Sequence, residues 1–169
     1  DSTDVVRLMS GATTADINIR SGGVVNINAL NAIQYTGSPY RLFVGQGADG
    51  ADATVNLNAN LLSGRLIVGE RGLTRVGIVN GPGTLTVDNA AASFIELYRG
   101  QVNANIASSG TGAGIFRKLG SGTVTLRGDN SGLTNTGANQ IDDGTLILDF
   151  TLNNAAKLNT LTALDMQGG

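Results

Sequence analysis

The 169-residue chain contains no cysteine and no histidine. These two absences exclude thiol catalysis, Ser-His-Asp chemistry and transition-metal sites built on imidazole or thiolate. They also leave the redox compartment unmarked, because no disulfide can report it. Tryptophan is missing too, and aromatic residues reach only 4%. A core here must be built from aliphatic side chains rather than rings. Charged residues are scarce at 14%, with a formal net charge of -2. Gripping a phosphate backbone takes a dense basic surface, so nucleic acid is excluded as a partner. No apolar run approaches the roughly 20 residues of a membrane helix, and none follows a basic opening segment. Neither membrane insertion nor a signal peptide is expected within this stretch. Proline occurs twice against 25 glycines, which points to many tight turns.

A repeat is present. Five segments align on their first residue: "GVVNIN" from Gly23, "ATVNLN" from Ala53, "GTLTVD" from Gly83, "GTVTLR" from Gly122 and "GTLILD" from Gly144. Their third and fifth positions are always apolar. A weaker copy, "GQVNAN", opens at Gly100, so the steps are 30, 30, 17, 22 and 22 residues (23, 53, 83, 100, 122, 144). Apolar and polar residues alternate with the period of a strand that is wet on one face. Val25, Val55, Leu85, Val124 and Leu146 then form one inward core ladder. A second strand series precedes the first: "RLFVGQG" from Arg41, "RLIVGER" from Arg65, "FIELYRG" from Phe94 and "IFRKLG" from Ile115. Gly45 and Gly69 follow their strands directly, where positive φ serves a turn. Gly128 turns the chain in the same way after "GTVTLR".

Units of about 20 to 30 residues lie in the solenoid range. Equivalent strands with the same buried face stack like on like, so the expected fold is all-β: a right-handed parallel β-helix of roughly six or seven rungs, a rod on the order of 30 Å long. The alternative is an antiparallel β-sandwich. Its hairpins favour two-residue turns. Here turn lengths vary, and Asn80-Gly81 is followed by Pro82. Residues 1–169 form a single solenoid domain in this reading, either a segment of a longer repeat array or an uncapped subunit that stacks.

"KLGSGTVTLRGDNSGLTNTGANQIDDGTLIL", Lys118 to Leu148, resembles the autotransporter-associated β-strand repeat. Departures occur at Leu133, where that family often has an aromatic, and at Ile141. Upstream, "VGQGADGADATVNLNA" and "VGERGLTRVGIVNGPGTLTVDNA" are similar to a related short repeat of bacterial secreted proteins. Together the two likenesses cover about residues 41 to 150. The resemblance implies a parallel β-helix in an exported bacterial surface protein, hence an extracellular or cell-surface location.

Candidate sites are few. Asp88 and Asp149 occupy outward slots, and Asp142-Asp143 share a turn, but no convergent carboxylate pair or sugar-stacking cluster marks an enzyme. "GQGADGADA", Gly45 to Ala53, resembles a calcium-coil nonapeptide once only, which makes Asp49 and Asp52 weak Ca²⁺ candidates beside their plainer reading as solvated turn caps. No cofactor is expected. Outward Thr84, Thr86, Thr123 and Thr125 suggest a lattice-matching ladder, broken by Asn26, Asn56, Asn103 and Ile147; stacked Thr and Asn equally stabilise any β-coil. Ile147, with Phe150, either packs under the loop Ser131 to Asn139 or marks a contact patch. Arg127-Gly128-Asp129 spells an adhesion triplet, yet each letter has a structural reason at a strand end. The expected role is structural: a rigid stalk, filament or surface-layer segment that stacks end to end on itself. The alternative is an adhesin holding glycans or matrix on a lateral face.

Overall fold

The structure, a computed structural model, describes residues 6–8, 16–20, 22–30, 33–35, 40–47, 51–70, 72, 74–88, 93–110 and 112–167. Every strand pair in it is parallel, and no helix occurs among the described residues. The chain is a parallel β-helix, not a sandwich. Its coil has three walls. The first stacks seven strands: Asp16–Ile19, Arg41–Val44, Arg65–Val68, Ser93–Leu97, Ile115–Lys118, Asn139–Ile141 and Leu164–Met166. The second stacks six: Val24–Ile27, Ala53–Leu57, Gly77–Asn80, Gly100–Val102, Thr123–Leu126 and Thr145–Leu148, about five turns from first to last. The third is shorter: Leu61–Ser63, Thr84–Val87 and Asn105–Ser108 form one sheet, and Val6–Leu8 pairs with Ile33–Tyr35 in another.

The second strand series falls on the first wall as expected, with Arg41 opposite Arg65 and Val44 opposite Val68. The proposed core ladder does not form a single row. Val25 does face Val55, but that row continues through Val79, Val102, Leu126 and Leu148. Val124 and Leu146 belong to the neighbouring inward row, which begins at Ala53 and passes Gly77 and Gly100. Leu85 lies on the third wall between Leu61 and Ile106. Five look-alike hexapeptides thus occupy two different walls. Along the true second-wall row the steps are 30, 24, 23, 24 and 22 residues (25, 55, 79, 102, 126, 148), nearly even after the first. The uneven steps of 30 and 17 on either side of Gly83 have no counterpart in this row, because Gly83 leads into a third-wall strand.

The residues themselves are placed as their chemistry requires. Val55, Leu85 and Val124 are fully buried, while Val25 and Leu146 are half-buried against the same core. Each fully buried aliphatic contributes roughly 1.5–3 kcal/mol. Three rings, Tyr40, Phe94 and Phe116, join them. Phe94 and Ile95 are consecutive yet both buried, because the register against the next strand slips between Ser93 and Ile95. That bulge turns an outward position inward.

Glycine closes the corners for two separate reasons. Gly45 (φ 89°) and Gly69 (φ 73°) adopt the left-handed conformation expected of them. Gly128 is needed for space rather than for its dihedral. A Cβ there would sit 1.9 Å from the Ala104 carbonyl oxygen of the coil beneath. No side chain fits at that distance.

Candidate functional site

The outer face of the second wall carries a continuous polar ladder. Asn56 donates its amide to Asn26 Oδ1 at 2.8 Å, Asn80 to Asn56 at 3.4 Å, and Asn103 to Asn80 at 2.6 Å. Arg127 takes over at the next coil, reaching back to Asn103 Oδ1 at 3.4 Å and Gln101 Oε1 at 3.2 Å. Forward, its Nε meets Asp149 Oδ2 at 2.7 Å. Asn26, Asn56 and Asn103 are therefore not interruptions of a Thr ladder but rungs of an Asn one. Thr84 and Thr86 stand on the third wall and Thr123 and Thr125 on the second, so these threonines do not share a face. A recurring Val-Asn pair marks the row: Val25-Asn26, Val55-Asn56, Val79-Asn80 and Val102-Asn103. That signal identifies Gly77–Asn80 as a member, although it lacks the "GT" opening.

The Arg127-Gly128-Asp129 triplet is held in the coil at every residue. The Arg127 side chain is a ladder rung, and Gly128 abuts Ala104. Asp129 receives the Ser131 amide on Oδ1 at 2.9 Å, and hydrogen bonds from Ser131 hold its carboxyl below the usual range. Asn130 is buried and links three coils. Its Oδ1 accepts from the Ile106 amide at 3.0 Å, and its Nδ2 donates to the Lys157 carbonyl at 3.0 Å. The carbonyls of Arg127 and Gly128 receive the Lys157 ammonium at 2.9 and 3.0 Å.

Two buried lysines lay outside the expectations from sequence. Lys118 is fully buried, and its ammonium donates to the carbonyls of Leu119, Gly120 and Asp143 at 2.8, 2.6 and 3.0 Å. Three protons meet three acceptors, so the charge is enclosed without a carboxylate partner in contact. Burial pushes its pKa down. Lys157 is held likewise and lies 5.2 Å from the centre of the Phe150 ring. Lys118, at an inward position of its strand, gives no warning of this in the sequence. The carbonyls that hold it come from a turn and from the next coil.

Of the remaining candidates, Asp49 lies outside the described residues. Asp52 is exposed, and its Oδ1 accepts the Val76 amide at 2.9 Å, which is the turn-cap role. Among the described residues, no three acidic side chains gather in a way that could hold a metal. Asp88 follows a third-wall strand and Asp149 a second-wall strand, so the two do not share a slot. Asp142 pairs with Arg117. Ile147 stays 44% exposed and Phe150 48%.

Two cavities open along the corner between the first and second walls. The larger, about 230 Å³, has Phe43 and Ile67 among its lining, with Gln46, Glu70, Glu96 and Tyr98. The smaller, about 110 Å³, shares Glu70 and Tyr98 and adds Thr74, Arg99 and Ser121. Glu70 Oε2 accepts the Gly47 amide at 2.7 Å, Glu96 pairs with Arg65, and the Tyr98 hydroxyl lies 3.5 Å from Glu96 Oε2.

The last coil is the apolar part of the surface. Ile147, Leu148, Phe150, Leu152, Leu161, Leu164 and Met166 are all exposed, against Val24, Leu30 and Leu62 elsewhere among the described residues. Leu148 ends the inward row of Val79, Val102 and Leu126, each fully buried, yet is itself 37% exposed.

No family model matches this chain, nor does any curated protein or solved structure. The likeness to autotransporter-associated repeats thus rests on the quoted motifs alone.

Proposed function

We propose that this chain is a structural β-solenoid segment whose exposed coil is covered by a further coil, supplied either by a continuing repeat array or by another copy of itself stacked end to end. The observation that carries this reading is the inward row that runs fully buried from Val79 to Leu126 and then emerges at Leu148. The next strand in such a row would bury it. The apolar terminal coil and the parallel strand edges beside it offer both side-chain area and backbone pairing to another coil. Contacts of one end against another are heterologous and generate open filaments. The role is mechanical rather than catalytic, and the motif resemblance supports an exported, cell-surface setting in a bacterium.

Sedimentation velocity over a wide concentration range tests this. The chain is expected to form a concentration-dependent ladder of linear oligomers. Placing lysines at Leu164 and Met166 should return it to monomer with unchanged circular dichroism. A wild-type chain that stays monomeric at millimolar concentration would sink the stacking role.

A second reading, an adhesin that holds glycans on a lateral face, draws support from the groove beside Tyr98.

A further inference from the structure

Two described dipeptides carry the groups needed to rearrange their own backbone. Asparagine precedes glycine once in the chain, at Asn80-Gly81. Aspartate precedes glycine at Asp143-Gly144 and at Asp49-Gly50, the latter outside the described residues. In such a pair the glycine nitrogen can attack the side-chain carbonyl carbon and close a five-membered ring, since no Cβ on the glycine blocks the approach. In an unfolded chain the asparagine reacts first, because an ionised carboxylate is a poor electrophile. The fold reverses that order.

The Asn80 side chain is held along the solenoid axis from both sides. Its Nδ2 donates to Asn56 Oδ1 at 3.4 Å, and its Oδ1 receives the Asn103 amide at 2.6 Å. Attack by Gly81 requires the carboxamide to leave both partners and swing back on its own chain. The backbone has no room to follow, since Gly81 is pressed so closely on the coil beneath that a Cβ would sit 2.2 Å from Leu57 O. Asp143 is the opposite case. It and Gly144 are exposed, and the Gly144 amide donates to Asp143 Oδ1 at 2.7 Å. A carboxyl C–O bond is about 1.2 Å, so Cγ lies within about 4 Å of that nitrogen, close to attack distance. Gly144 is wedged against the carbonyl oxygens of Gly120 and Gly122, which keeps the nitrogen in place.

We propose that Asp143-Gly144, and not Asn80-Gly81, is where the folded chain isomerises its backbone. In the acid form of Asp143, the Gly144 nitrogen bonds to Cγ, and the nitrogen's proton and the Cγ hydroxyl leave as water. A second water opens the ring. Entry at Cγ restores aspartate, and entry at the main-chain carbonyl carbon gives isoaspartate with no change in mass. The Asp143 carbonyl oxygen now accepts the Lys118 ammonium at 3.0 Å. In the isoaspartate that carbonyl carbon becomes a free carboxylate, so the enclosed ammonium gains an anionic partner. The main chain lengthens by one methylene just before Thr145, whose amide bonds Gly122 O at 3.1 Å. The change therefore falls where the last second-wall strand, Thr145–Leu148, joins its coil.

Asp143→Asn tests it, because the variant carries the same dipeptide in both places. The folded variant is incubated for several weeks and cleaved with trypsin, which puts position 80 in residues 76–99 and position 143 in residues 128–157. Mass spectrometry reads the conversion of amide to acid at each. In the folded chain position 143 should convert at least about tenfold faster than Asn80, which is held by two hydrogen bonds. In concentrated urea the two rates should converge. Asn103→Ala, which removes the amide given to Asn80 Oδ1, should speed conversion at Asn80 and leave position 143 unchanged. In the wild-type chain, isoaspartyl methyltransferase should label residues 128–157 and not 76–99. Conversion at Asn80 as fast as at position 143 overturns the proposal, as does a ratio that urea leaves unchanged. Absence of label in wild-type residues 128–157 overturns it whether or not either variant folds.

Discussion

Asn103 donates its side-chain amide to Asn80 Oδ1 at 2.6 Å, one coil away, and Asn80 donates onward to Asn56. Each amide gives to one neighbour and receives from the other. A carboxamide can do this indefinitely along a stack, because its donor and acceptor lie on opposite sides of one planar group. The ladder ends on Arg127 and Asp149, where the amide chain becomes an ion pair.

Breaking that ladder at its middle rung should cost two hydrogen bonds. Asn80→Ala is expected to lower unfolding free energy by about 1–2 kcal/mol, since each partly exposed bond contributes roughly 1 kcal/mol. Equilibrium urea denaturation measures it. Asn58→Ala, which removes one bond to Asn28 on an exposed corner, should cost less. Equal losses at the two positions would mean that the ladder adds nothing beyond isolated pairs.

Lys118 should be far less replaceable than a surface lysine. Lys118→Met fits the apolar surroundings of the stem but strands three carbonyls that now hold the ammonium. The expected loss is about 3–5 kcal/mol, as when one partner of a buried charged contact is removed. A thermal melt within 1 °C of wild type would show that water replaces the ammonium.

The two kinds of glycine should separate on substitution to alanine. Gly72 (φ 76°) has nothing near its missing Cβ, so Gly72→Ala should cost only the left-handed strain, about 1–2 kcal/mol. At Gly128 the new Cβ would fall 1.9 Å from Ala104 O, so two coils must part. Gly128→Ala is expected to prevent folding or to cost several times as much. Comparable melting temperatures for the two variants would refute the spacing argument.

Stability should fall on the acid side through Asp149. Hydrogen bonds from Thr151 and Arg127 hold its folded-state carboxyl well below the ordinary carboxylate range. Between that value and the unfolded one near 3.9, the unfolded chain binds more protons, so stability declines as pH drops below about 4. In Asp149→Asn the denaturation midpoint should be lower at pH 7 and vary less between pH 4 and pH 2. An unchanged acid slope would assign that loss to other carboxylates.

The coil was readable from sequence because strand alternation and repeat length are local properties. "GTVTL" at Gly122 and "GTLIL" at Gly144 share composition and register, and they do pair. "GTLTV" at Gly83 looks the same but belongs to the third wall, since any half-buried strand accepts that pattern. Its wall is set by how much chain the preceding corner consumes. The groove beside Tyr98 could not be read at all, because Gln46, Glu70, Tyr98 and Ser121 come together only through stacking.

What the amino-acid sequence by itself determined is the class of structure: parallel coils with an aliphatic interior, polar outside, and glycine where the chain bends. Apolar periodicity and turn chemistry act over a few residues, so they can be read along the chain. Only the tertiary structure decided which strands are neighbours, which lysines are enclosed, and which polar side chains share a corner. Those outcomes depend on atoms some 22 to 30 residues apart being brought about 5 Å from one another, and the number of residues in each corner sets that register.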